Sequence, residues 1–187
     1  MSQSTINYIG KFVENALGFT PTFLKQIDKA HYEVHQGATF TSNFLSLSVA
    51  NDGYARLKVT TDAVTEMHVV ITLVSEGKAY FKTFSGGTYG AGTAPDGVNL
   101  SVFNRNPGHA IASGVTVAYN PSVTTPGILR GNQLLNGGTG GTSIGTQSGT
   151  RIESVIDPLG TFIVELQNKK GQAADLCIIL DWYEEKE

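Results

Sequence analysis

The chain is short of charge, of cysteine and of long apolar runs, and each shortage excludes something. Charged residues are 16% of the 187 residues, against about 25% in an average globular protein. Lys and Arg number 13 against 16 Asp and Glu, a net charge of −3, and no basic tract is present. Phosphate-tracking nucleic-acid binding needs clustered Lys and Arg, so no nucleic-acid partner is expected. Cys177 is the one cysteine, which excludes an intrachain disulfide and any multi-thiolate metal site. No window approaches the ~20 apolar residues of a membrane-spanning helix, so no membrane partner is expected. The opening MSQSTINYIG has neither a charged n-region nor an apolar h-region, and no signal peptide is expected. Hydrophobic residues still make up 40% and the mean hydropathy is −0.06, the composition of a folded, soluble domain.

What is present changes character near residue 30. In the first segment Ile9, Phe12, Val13, Ala16 and Leu17 recur at i, i+3, i+4, i+7 and i+8, one face of a short helix. Gly18 stands where a C′ glycine ends such a helix. Thr20-Pro21 reads as N-cap and N1 of a second short turn through Phe23, Leu24 and Ile27. Short helices are marginal alone and need a surface. Residues 1–30 are therefore an apolar, partly helical arm that covers its own domain or docks on a neighbouring subunit. Residues 31–187 are the main domain.

From residue 31 the period is two. Tyr32, Val34, Ala38 and Phe40 alternate with Glu33, His35 and Thr39; Leu45, Leu47 and Val49 alternate with serines; Ala55, Leu57 and Val59 alternate with Arg56 and Lys58. Each pattern predicts a half-buried strand. Asn51-Asp52-Gly53 between two of them is a hairpin signal, because Asp-Gly supplies positive φ. HVVITLVS (68–75) is apolar on both faces and predicts a central strand. Strands are also predicted at 79–84, 98–104, 115–120, 150–156, 161–168 and 175–183. Pro158-Leu159-Gly160 and Lys169-Lys170-Gly171 separate the last three. Without crossover helices a parallel sheet is excluded, and the expectation is an all-β, antiparallel, jelly-roll-like β-sandwich. Between residues 85 and 149 only Asp96, Arg105 and Arg130 are charged, and 136–149 is a Gly/Ser/Thr-rich loop. Charge depletion over a long surface stretch suits a subunit interface.

No constellation predicts catalysis. His31, Glu33 and His35 would share one strand face, but two imidazoles and a carboxylate are a partial set, and no metal is expected there. Gly137-Gly138-x-Gly140-Gly141 lacks the Lys-Ser/Thr ending of a phosphate loop. Cys177 sits within an apolar strand and reads as a small buried hydrophobe. Nothing pairs Asp157, Asp175 and Asp181 as acid and base. No cofactor is implied. Tyr80, Tyr89, Tyr119, Trp182 and Tyr183 could offer stacking platforms to carbohydrate, the one small ligand class the composition favours.

Three segments together carry a family pattern: AHYEVHQGATF (30–40), FNRNPG (103–108) and IDPLGTFIVELQNKKGQAADLCIILDWYEE (156–185). They resemble the decoration, or cement, proteins of tailed-bacteriophage capsids through Glu33-Val34-His35 with Gly37, Asn104-Arg105-Asn106, Phe162–Asn168 and the closing Asp181–Glu184. Phe103 and Phe162 stand where the pattern often has Tyr. The arm matches nothing in it. The resemblance implies a non-enzymatic β-sandwich that forms homotrimers on the outer capsid surface of the virion. It would be synthesised in the host bacterial cytoplasm and clamp major capsid protein subunits. The alternative is a carbohydrate-binding jelly-roll module on the virion. The residues expected at the subunit or capsid interface are Ile9, Phe12, Val13, Leu17, Phe19, Phe23 and Leu24 of the arm, with Asn104, Arg105 and Asn106.

Overall fold

The computed structural model describes residues 36–93, 102–108, 111–136 and 153–186. The arm, residues 31–35 of the strand expected to run on to Phe40, and residues 137–149 of the glycine-rich loop lie outside the described residues; the described part of that strand begins only at Thr39. The described chain is almost entirely strand: β1 (Thr39–Val49), β2 (Tyr54–Thr61), β3 (Thr65–Ser75), β4 (Ala79–Ser85), β5 (Thr88–Tyr89), β6 (Phe103–Asn104), β7 (Val115–Tyr119), β8 (Val123–Thr125), β9 (Ile128–Leu135), β10 (Glu153–Ile156), β11 (Thr161–Asn168) and β12 (Ala174–Lys186). One sheet has the order β10-β3-β12-β1-β6 and the other β7-β2-β11-β4-β9, all antiparallel.

The pairing is nested. β1 pairs with β12, β2 with β11, β3 with β10 and β4 with β9. A single long antiparallel ribbon rolled up in this way is a jelly roll. Every tight connection on the ribbon therefore passes from one sheet to the other. That corrects the hairpin reading of Asn51-Asp52-Gly53: Asp52 has the expected positive φ of 64°, but β1 and β2 belong to opposite sheets. Turn chemistry is local, whereas the choice of pairing partner rests on contacts more than a hundred residues away.

The core lies between the sheets. Alternate residues of β2 (Ala55, Leu57, Val59), β11 (Phe162, Val164, Leu166), β3 (Met67, Val69, Leu73) and β12 (Leu176, Ile178, Leu180, Trp182) meet there, all buried. Phe44 of β1 and Tyr119 of β7 stack across the gap at 4.7 Å. β3 is an interior strand as expected, yet β11 is the one buried on both faces. On its outer side Glu165 accepts from Arg56 Nε at 2.7 Å, and the small β5–β8 sheet follows, with Gly90 accepting from Lys58 Nζ at 3.0 Å.

β1 departs from its expected pattern. Phe40, Ser42, Phe44 and Val49 are buried, while Leu47 is 62% exposed and Leu45 half-buried. A bulge between Ser46 and Val49, with Ser48 at φ 52°, adds residues to one strand and switches which side chains face inward. Buried Asn168 then locks the turns at this end. Its amide donates to the carbonyls of Val49 (2.8 Å) and Gln172 (2.7 Å), and its Oδ1 accepts from Lys170 N (2.8 Å).

Candidate functional site

Asn104 and the closing Asp181–Glu184 meet the start of β1 at one end of the first sheet, whereas Phe162–Asn168 lies in β11 of the second. Gly37 enters β1 with φ 73°, a conformation that favours glycine. Its carbonyl accepts from Asn104 Nδ2 at 2.7 Å. Asn104 Oδ1 in turn accepts from Asn106 N at 2.8 Å, an Asx turn that ends β6. Arg105 N donates to Thr39 O at 2.9 Å, and Glu184 N to Ala38 O at 2.9 Å. Phe40 is in register with both Asn104 and Trp182, and its ring lies 5.8 Å from the indole.

Strand alternation divides the closing Asp181-Trp182-Tyr183-Glu184 into two halves. Trp182 and Glu184 point into the sandwich, 2% and 5% exposed. Glu184 accepts from Trp182 Nε1 at 3.1 Å, from Gly114 N at 3.0 Å and from the Ser113 hydroxyl. Asp181, Tyr183 and Glu185 alternate outward. Asp181 faces the guanidinium of Arg105 at 3.8 Å, with both side chains well exposed; such a pair contributes little to stability.

Opposite them on β3, register places His68 across from Tyr183 and Glu66 across from Glu185. The imidazole and phenol rings stack at 4.5 Å and 9°. His68 Nε2 lies 2.8 Å from Glu66 Oε1 and 3.7 Å from Glu185 Oε1. Among the described residues this trio is the cluster of His, Cys, Asp and Glu able to hold a metal ion, its ligand atoms all within 4.8 Å of one another. Sequence reading missed it. Glu66 and Glu185 lie outside the strands predicted over 68–75 and 175–183, and only the longer β3 and β12 and their register bring them to His68.

The interface residues named from the sequence behave differently from one another. Asn104 spends its amide within the chain, Asn106 is half-buried and Arg105 is exposed. Ile9, Phe12, Val13, Leu17, Phe19, Phe23 and Leu24, like His31, Glu33 and His35, lie outside the described residues. A second surface lies within the low-charge interval 85–149, where the sequence pattern predicts no strand over 128–135. β9 is the edge strand of the second sheet, with Ile128 62%, Leu129 52% and Leu134 39% exposed. Both of its faces are open over most of its length. Such a strand has no buried side to impose alternation, which is why period two did not reveal it. One flank of β9 pairs with β4; among the described residues no strand pairs with the other, the kind of edge that can take up another chain.

The candidate small-molecule chemistry narrows. Tyr119 and Trp182 are 2% exposed and fill the core, so neither is a platform for a sugar. Asp175 Oδ1 accepts from Ser48 N at 2.7 Å and caps the bulge in β1. Cys177 is on the outer side of β12, half-buried and not in the core, because Leu176 and Ile178 take the inward positions. Burial pushes its thiol above the ordinary cysteine value, which keeps it protonated and a poor nucleophile at neutral pH. A raised value also means that the native state holds the proton that the unfolded chain releases. This contribution to stability is present below the unfolded value and lost as pH rises through the folded one. Ellman's reagent is therefore expected to label Cys177 slowly in the native protein and fast in denaturant, with the native rate climbing only in alkali. Fast native labelling at neutral pH would contradict this placement. No protein-family model matches the chain, and comparisons with curated proteins and with solved structures gave no match.

Proposed function

We propose that this protein is a structural, non-enzymatic subunit of a phage virion that decorates the head as a trimer and reinforces it by binding coat subunits. The reading rests on the resemblance of three segments to capsid decoration proteins. The observation that carries it is β9, an eight-residue edge strand with Ile128, Leu129 and Leu134 exposed. A monomer that kept such an edge in water would risk uncontrolled strand pairing. A seam to a neighbouring subunit gives the strand its partner and buries the apolar rim. Clamping of this kind stabilises a shell because the added protein binds the assembled state and not the dispersed one.

The test is co-sedimentation of the purified protein with phage heads, alongside its mass in solution. A trimer that saturates heads at a fixed ratio is the expected result. Ile128→Asp and Leu129→Asp together are expected to weaken trimer formation or head binding by roughly 30-fold or more, the scale of an interface hot spot. Both side chains are exposed, so the β circular dichroism spectrum should be unchanged. Deleting residues 1–29 asks in parallel whether the arm belongs to the same seam. A monomer that leaves heads bare would overturn the proposal.

A further inference from the structure

We propose that Glu66, His68 and Glu185 bind one divalent ion of the zinc and cobalt class on the outer face of the β3–β12 pair. The inference is independent of the capsid reading. Glu66 and Glu185 are directly opposite across an antiparallel pair, a placement in which like charges repel. Both turn toward the same atom, His68 Nε2. A cation at that point removes the repulsion. The donor set, one imidazole nitrogen and two carboxylate oxygens, suits borderline first-row ions better than calcium or magnesium, which take oxygen alone.

The spacing fits as well. Tetrahedral zinc with ligands at about 2.0–2.1 Å sets its donor atoms about 3.4 Å apart. The two observed separations from Nε2, 2.8 and 3.7 Å, straddle that value, so small side-chain rotations bring the donors to it. The ring is already oriented: its stack on Tyr183 at 4.5 Å and 9° fixes its plane, and both ligating strands are long interior members of a sheet. Side-chain exposures of 16% for His68, 31% for Glu66 and 39% for Glu185 let an ion enter from solvent. Three protein ligands leave a fourth position for water. An ion there would cross-link β3 to β12 next to the residues that hold the start of β1.

The full chain carrying His31→Ala and His35→Ala, which removes the other histidine pair, is titrated with Zn2+ by calorimetry and with Co2+ by visible absorption. One ion per chain, with the visible bands of cobalt bound to nitrogen and oxygen ligands, is expected. His68→Ala on that background should abolish stoichiometric uptake. Glu66→Gln and Glu185→Gln should each weaken binding by at least the about 10–100-fold that loss of a supporting residue costs. Circular dichroism checks that each variant is folded, and the two glutamine variants carry the test if His68→Ala is not. Absence of uptake, or uptake indifferent to these three side chains, would overturn the proposal and leave a plain His–Glu ion pair.

Discussion

Trp182→Ala is expected to destabilise the protein by about 3–5 kcal/mol, the range for emptying a large aromatic site in a core. The indole is 2% exposed, stacks on Phe40 at 5.8 Å and donates to Glu184 at 3.1 Å. Removing it takes away apolar burial, opens a cavity between β12 and β1, and strips a donor from a buried carboxylate. Since small domains are stable by only about 5–15 kcal/mol, the variant should unfold at far lower denaturant or not accumulate. Trp182→Phe separates the contributions: it keeps most of the volume and loses the hydrogen bond, and should cost clearly less. Trp182 is the sole tryptophan, so both variants have to be followed by circular dichroism. A loss under about 1 kcal/mol for the alanine variant would place this residue outside the core, since such small changes belong to surface positions.

Glu184→Ala is the second large effect, at about 2–4 kcal/mol, because three donors lose their acceptor at once. Trp182 Nε1, Gly114 N and the Ser113 hydroxyl all turn to this carboxylate. Ser113 can rotate away; the other two are fixed. Gly114 is closely packed: a Cβ there would stand 1.9 Å from Thr65 Oγ1. Its carbonyl also accepts from Asp62 N at 2.8 Å. Glu184 thus fastens the segment before β7, in the second sheet, to β12 in the first. Glu184→Gln retains one acceptor but presents an amide N–H2 to a donor, and should fall between alanine and wild type. Trp182 fluorescence reports directly, and a red shift is expected in the alanine variant as water reaches the indole. An unchanged denaturation midpoint would show that the carboxylate is dispensable.

Both residues belong to the Asp181–Glu184 segment on which the family resemblance leans, and with Asn104 and Asn168 they show what its motifs do. Each places a polar group at a junction of the fold: half-buried Asn104 onto the Gly37 carbonyl, buried Asn168 onto the turns after β1 and β11, and buried Glu184 onto the segment before β7. They specify how the ribbon is rolled. Among the described residues the edge strand β9 exposes Ile128, Leu129 and Leu134.

The strands of the buried ribbon were legible because a strand with one wet face and one dry face writes its period into the chain. Ala55-x-Leu57-x-Val59 is readable in this way, as is the all-β class that follows. The positive φ at Asp52 was legible too, since Asp-Gly chemistry is local. β9 was not, because an edge strand open on both faces carries no alternation. Nor was the outward position of Leu47, since the bulge near Ser48 shifts the register by backbone geometry that no single residue type announces.

Residue order alone determined that this chain forms an antiparallel sandwich and that its single cysteine has no intrachain partner. Those properties depend on composition and on neighbours a few positions apart. The tertiary structure alone decided that β1 pairs with β12, that Glu184 meets Gly114, and that Glu66, His68 and Glu185 share one point. The β1–β12 pairs, Glu184–Gly114 and His68–Glu185 join residues about 70 to 145 positions apart, and contacts so distant in sequence are set only when the whole apolar face of every strand is buried at once.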